Sequence, residues 1–221
     1  MPSGHEMPRG PYTHPGLVFL VLALPFYLND FAFILLNGTE GVYLADYLTR
    51  CLVLAIIFFW APARAIATEN LRTGRPVALF VLAAALLPLF GRFIYNFVEA
   101  PFVAATGLEG LFEFGALQSP LFYWLDLTVG LLLVAITEEL VFRKFALKWL
   151  EARNVRPLLI VLISALVFAL MHWGSGPGRL LYTLISGAAY MAVYLRIRTL
   201  WPLIAAHWVE DFFAFGPFDL F

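Results

Sequence analysis

The chain has 221 residues, 62% of them hydrophobic and 13% charged, with a formal net charge of −1. A soluble domain carries roughly 25% charged residues and needs a polar surface to meet water, so this composition excludes a soluble globular protein and makes lipid the solvent. The near-zero charge excludes a basic field for nucleic acid, and the single cysteine, Cys51, excludes an intrachain disulfide or a cysteine-based zinc cage.

In chain order, residues 1–15 read as a polar tail rich in Gly and Pro, with Arg9, His5 and His14 in water. Seven stretches then approach the ~20 mainly apolar residues that cross a bilayer: 16–36, 42–61, 76–97, 119–141, 158–172, 179–195 and 200–215. The first is too long for a signal-peptide core and lacks a clean cleavage site, so it reads as a retained span. The turn Asn37-Gly38-Thr39-Glu40-Gly41 separates the first two spans, and a longer loop with Glu99, Glu109 and Glu113 follows the third. Gly174-Ser175-Gly176-Pro177-Gly178 closes the fifth. On the sixth, Thr183, Gly187, Ala188 and Ala192 form a small-residue face that lets helices approach closely. The expected fold is all-α, a polytopic membrane bundle of about seven transmembrane helices.

Lys and Arg give the orientation. Arg64, Arg72 and Arg75 follow the second span, Arg143, Lys144, Lys148, Arg153 and Arg156 the fourth, and Arg196 and Arg198 the sixth. With seven spans these loops share one side with Arg9, while the opposite loops hold carboxylates and only Arg179. The N-terminus is therefore expected in the cytoplasm. Trp60, Trp149 and Trp201 fall near the inner interface, Trp124 and Trp173 near the outer one.

An ionisable residue inside a span marks function by default. Three clusters stand out. In Glu138-Glu139-Leu140-Val141-Phe142-Arg143, Glu139 and Arg143 are one turn apart and share a helix face. Glu138 points about 100° away and has no partner on its own helix, which suits a general base. Phe168 and His172 are one turn apart on the fifth span, and His207 and Asp211 on the seventh, where a carboxylate can orient an imidazole. If the fourth helix runs on to about Ala152 and the fifth begins near Arg156, Glu138 and His172 lie roughly 21 and 24 Å from the turn, nearly level. His207 lies roughly 13–14 Å beyond Arg198 and is shallower unless the loop before it dips into the membrane. Arg50, Arg92 and Asp126 have no motif context, and structural pairing accounts for them. The residues alone point to a catalytic or an ion-handling site.

The ordered trio Glu-Glu-x-x-x-Arg, Phe-x-x-x-His and His-x-x-x-Asn/Asp resembles the CPBP family, the CAAX-processing and bacteriocin-processing (Abi) intramembrane proteases. The likeness covers residues 119–216, which it implies are a four-helix catalytic core, with 16–118 as three accessory transmembrane helices and an outer loop. It implies hydrolysis of a peptide bond in a membrane-anchored protein or peptide, in the bilayer of a bacterial inner membrane. The implied catalytic set is Glu138, Glu139, Arg143, His172, His207 and Asp211, with Phe168 binding substrate. Glu138 and His172 activate water, Glu139 and Arg143 hold the helix and carboxylate, and His207 stabilises the oxyanion. Asp211 stands where many relatives have Asn; an ionised Asp cannot donate a hydrogen bond, so it is assigned to orienting His207. Family members are described both as metal-free glutamate proteases and as metalloproteases. No cofactor is expected, with zinc held by Glu138, His172 and His207 as the alternative.

Because Trp173 and the Gly/Pro turn directly follow His172, the site is expected in the outer half of the bilayer, suited to C-terminal processing of anchored exported proteins more than to cytosolic CAAX proteolysis. The rival readings are a proton-coupled transporter and a non-catalytic bacteriocin-immunity protein. The first calls for an inverted repeat, which the sequence does not show, and the second for a lost motif residue, yet all three motifs are intact.

Overall fold

The computed structural model describes residues 14–69 and 76–217, and these are mostly helical with no strand among them. The helices are α1 (Pro15–Leu35), α2 (Gly41–Phe59), a short α3 (Ala61–Thr68), α4 (Val77–Thr106), α5 (residues 120–151), α6 (Pro157–Leu170), α7 (Pro177–Ile197) and α8 (Trp201–Phe215). Of these α1, α2, α4 and α7 are long and apolar enough to cross a membrane, and α6 is shorter. Arg9, Arg72, Arg75 and His5 lie outside the described residues; His14 is exposed.

Local chemistry sets the boundaries. Proline stands in the first turn of α1, α3, α5, α6, α7 and α8, where its missing N–H removes no helix hydrogen bond. The Ser119 hydroxyl accepts from the Phe122 N–H and caps α5. Left-handed residues at Gly107 and Arg198 end α4 and α7, and another at Asn154 turns the chain from α5 into α6. The helix past span four and the start at Pro157 follow the expected hairpin. The third span differs. It does not stop at residue 97 but continues through a π-helical turn, Tyr95–Glu99, to Thr106. Glu99 is therefore a buried helix residue, paired with Arg179 at 3.1 Å, and not a loop carboxylate.

The outer faces of the helices are lined with exposed Leu and Phe, such as Leu20, Leu86 and Leu158. Lipid is the solvent that such a face fits. Phe142 on α5 is fully buried at the centre, with edge contacts to Phe19, Phe26 and Phe168. α6 and α7 pack along their lengths, and α8 lies against α4 and α5. A Cβ at Gly187 would stand 3.0 Å from the Phe168 ring, so the small-residue face of α7 is what admits the close approach to α6.

Connections gather at two ends. At one, the Gly38 N–H donates to Glu113 and the Leu111 N–H to Gly174, joining the turns after α1, α4 and α6. At the other, Lys144 donates to the carbonyls of Ala67 and Glu69, Lys148 pairs with Glu69, and Arg198 with Glu151. Alternating passage of the helices demands this grouping. Arg143, counted with the loop cations from sequence, turns inward and is buried.

Gly176 has φ +92°, and a Cβ there would meet the Glu109 carbonyl oxygen at 2.8 Å. Both the backbone and the neighbour demand glycine. Gly176→Ala is expected to destabilise the protein by about 1–3 kcal/mol, read as a fall in the thermal midpoint in detergent.

Candidate active site

The acidic pair sits where α5 changes its winding. Glu138 and Glu139 end an α-helical stretch, and Leu140–Phe145 form a π-helical turn, a feature that recurs at functional sites. Glu139 and Arg143 share a face as their spacing predicts. The guanidinium grips the carboxylate with both arms, Nε to Oε2 at 2.9 Å and Nη2 to Oε1 at 3.2 Å, with neither group exposed beyond 1%. Arg143 also lies over the Phe168 ring, 4.4 Å from its centroid. This ring stands edge-on to His172. One arginine thus ties α5 to the motif residues of α6.

Glu138 has no partner on its own helix, as the spacing implies, yet it is not free. Arg50 on α2 places Nη2 2.8 Å from Glu138 Oε1. Two adjacent carboxylates are therefore each matched by an arginine, one from their own helix and one from another. The second Glu138 oxygen, Oε2, faces His207 Nε2 at 3.8 Å.

His207 stands among three carboxylates. Its Nδ1 is 3.0 Å from Glu139 Oε1, and its Nε2 is 3.4 Å from Asp211 Oδ2. These contacts place His207 level with the acidic pair. They fit the alternative in which the loop before His207 dips into the membrane. Asp211 contacts the ring as expected, but Glu139 makes the shorter bond and shares the orienting role. An ionised carboxylate only accepts, so the Glu139 contact fixes Nδ1 as a donor.

His172 lies in the turn just after α6, with Nδ1 3.3 Å from the Phe168 carbonyl oxygen. A carbonyl also only accepts, which puts the proton on Nδ1 and leaves Nε2 as the basic nitrogen. The neighbouring turn is held by the Gly174 N–H bond to Asp30 at 2.6 Å.

Glu138, Glu139, Arg143, Phe168, His172, His207 and Asp211, drawn from α5, α6, the turn after α6 and α8, all line one cavity of about 420 Å³. The loop between α4 and α5 adds Phe112 and Phe114 to its wall. The model of the family described as type II CAAX prenyl endopeptidase Rce1-like matches residues 120–213. These residues form an Rce1-like domain. The family is one of endopeptidases, so the hydrolase class implied by the motifs and the membrane setting read from the composition stand. No curated protein and no solved structure matches the chain.

The domain comprises α5 to α8, but its cavity does not end there. Asp46 and Arg50 of α2 line it too, and within the domain Glu210 of α8 adds a further carboxylate that accepts from the Tyr190 hydroxyl at 2.9 Å. Sequence reasoning missed these. The signal for the first pair was present: Asp46 and Arg50 are one turn apart on an apolar helix, the same pattern as Glu139 and Arg143. Of the other polar residues left to structural pairing, Asp126 accepts from the Tyr47 hydroxyl and Arg92 lies over the Tyr95 ring.

Proposed function

We propose that the chain is an intramembrane endopeptidase that hydrolyses a peptide bond of a membrane-anchored protein with an activated water. The observation that carries this reading is the gathering of all seven motif residues on one cavity. Glu138 Oε2 takes a proton from a water held with His172 Nε2 as the oxygen attacks the scissile carbonyl carbon. The developing oxyanion accepts from His207 Nε2–H, which Asp211 holds only loosely at 3.4 Å. As the tetrahedral intermediate collapses, the C–N bond breaks and the leaving amine takes the proton from Glu138. Glu139 and Arg143 fix His207 and the helix, and Phe168 forms part of the substrate wall.

One feature supports a metal-free course over zinc held by Glu138, His172 and His207: Glu138 Oε1 is already engaged by a guanidinium at 2.8 Å, which repels a dication. The grouping of connections at two ends supports seven spans. The cation-rich end is then cytoplasmic, the N-terminus with it, in a bacterial inner membrane. The turn at Gly174 faces outward, so the site opens in the outer half of the bilayer. That position suits C-terminal processing of anchored exported proteins.

The test incubates the purified full chain, reconstituted in liposomes, with membrane proteins of the host, and maps new peptide termini by mass spectrometry. Discrete new termini that persist in a strong chelator are the expected result. An absence of new termini overturns the protease reading, and termini that vanish with chelator overturn its metal-free course.

A further inference from the structure

The cation at Glu138 comes from outside the Rce1-like domain. Arg50 Nη2 is 2.9 Å from Asp46 Oδ1, one turn earlier on α2, and 2.8 Å from Glu138 Oε1 on α5. Asp46 Oδ1 in turn accepts from Asn29 Nδ2 on α1 at 2.9 Å, and Asn29 Oδ1 accepts from the Thr49 hydroxyl at 3.0 Å. The guanidinium face lies over Phe26, 4.7 Å from the ring centroid. The side chain is only 8% exposed. Every side chain that sets Arg50 therefore belongs to α1 or α2, and its far contact is Glu138.

Stability alone does not call for this arrangement. Arg50 Nε and Nη1 are buried without a hydrogen-bond partner among the described residues, and both carboxylates crowd onto Nη2. A pair kept for stability gains most from the two-armed grip that Arg143 makes on Glu139, and buried donors left unused are costly. Arg50 instead stands at the cavity wall with one nitrogen on Glu138.

We propose that Arg50 is a positioning residue for Glu138, set by Asp46 and Asn29, so that α1 and α2 complete the active site carried by residues 120–213. The inference rests on the reading of Glu138 as the base that activates water. By engaging Oε1, Arg50 fixes the carboxylate's rotation and leaves Oε2 as the oxygen that meets the water. Asp46 supplies the second part of the device. When Glu138 takes the water's proton, it no longer balances the guanidinium. Asp46 still does, so Arg50 holds its place through the cycle and receives Glu138 again when the proton leaves.

The test measures kcat, KM and thermal midpoint of the full chain in liposomes for Arg50→Gln, Arg50→Lys and Glu138→Gln, on a substrate the wild type cleaves. Arg50→Gln is expected to lower kcat about 100-fold, the cost of a reacting group misplaced by ~1 Å, with KM changed less than about 3-fold. Arg50→Lys keeps the charge without the planar fork, and kcat is expected to recover to within roughly 3–10-fold of wild type. A folded Arg50→Gln with wild-type kcat overturns the proposal, provided that Glu138→Gln is inactive. An active Glu138→Gln instead overturns the underlying reading of the base. If Arg50→Gln does not fold, Arg50→Lys decides: a 3–10-fold loss of kcat at unchanged midpoint supports positioning, and full kcat overturns it.

Discussion

Glu138→Gln is expected to lower kcat by about 10³-fold, within the range that a positioned general base contributes, while the protein stays folded. The fold survives because the change leaves no charge stranded. Arg50 keeps Asp46 at 2.9 Å, and the glutamine carbonyl oxygen can still accept from Arg50 in a side chain of the same length. What is lost is only the ability to take a proton from water. Glu138→Asp keeps the carboxylate but withdraws it by one methylene from both Arg50 and the water, and a loss of about 100-fold is expected. Steady-state kinetics alongside thermal melting in the same detergent separate the two effects. Wild-type turnover by the folded Gln variant would show that another group activates the water.

How much of this was legible in the sequence follows from where each interaction's partner lies. The hairpin of α5 and α6 was readable because apolar length and helix rise are local, and the ends near 152 and 156 agree with Glu151 and Pro157. Glu139 with Arg143 and His207 with Asp211 were readable for the same reason, since each pair is one turn apart. Glu99 was assigned to a loop because a charge closes an apolar window. Its neutralising partner, Arg179, lies on another helix, and that pairing lets α4 continue. Arg50 shows the same limit at the site itself. Its local partner Asp46 could be found, but Glu138 lies far along the chain with no spacing rule to join them. The π-helical turn at Leu140–Phe145 left no mark either, because apolar residues surround it whichever way the backbone winds. Motif order told which residues gather, and packing of α1 and α2 told what holds them.

The second large effect falls on stability, at Arg143. Its side chain is 1% exposed and Glu139 is fully buried, so neither has water to fall back on. Arg143→Met fills much of the volume but leaves a carboxylate with His207 as its only polar partner among the described residues, and removing one member of a buried ion pair costs about 3–5 kcal/mol. The same change takes the cation from the faces of Phe168 and Tyr190, which it joins across α5, α6 and α7. Arg143→Lys is not expected to restore the loss, because an ammonium cannot bond both carboxylate oxygens in plane and lie flat against an aromatic ring. Both variants should melt well below the wild type in detergent, and activity should fall further than the folded fraction because Glu139 no longer holds His207 in place. The double change Arg143→Met with Glu139→Gln removes the stranded charge, and its midpoint is expected to rise above that of Arg143→Met alone. No such recovery would mean that the arginine stabilises through its ring contacts and not through Glu139. The contrast with Glu138 is the physical content of the adjacent pair. One carboxylate is closed in a two-armed grip that holds three helices together, and the other is held by a single nitrogen, with an oxygen left to react.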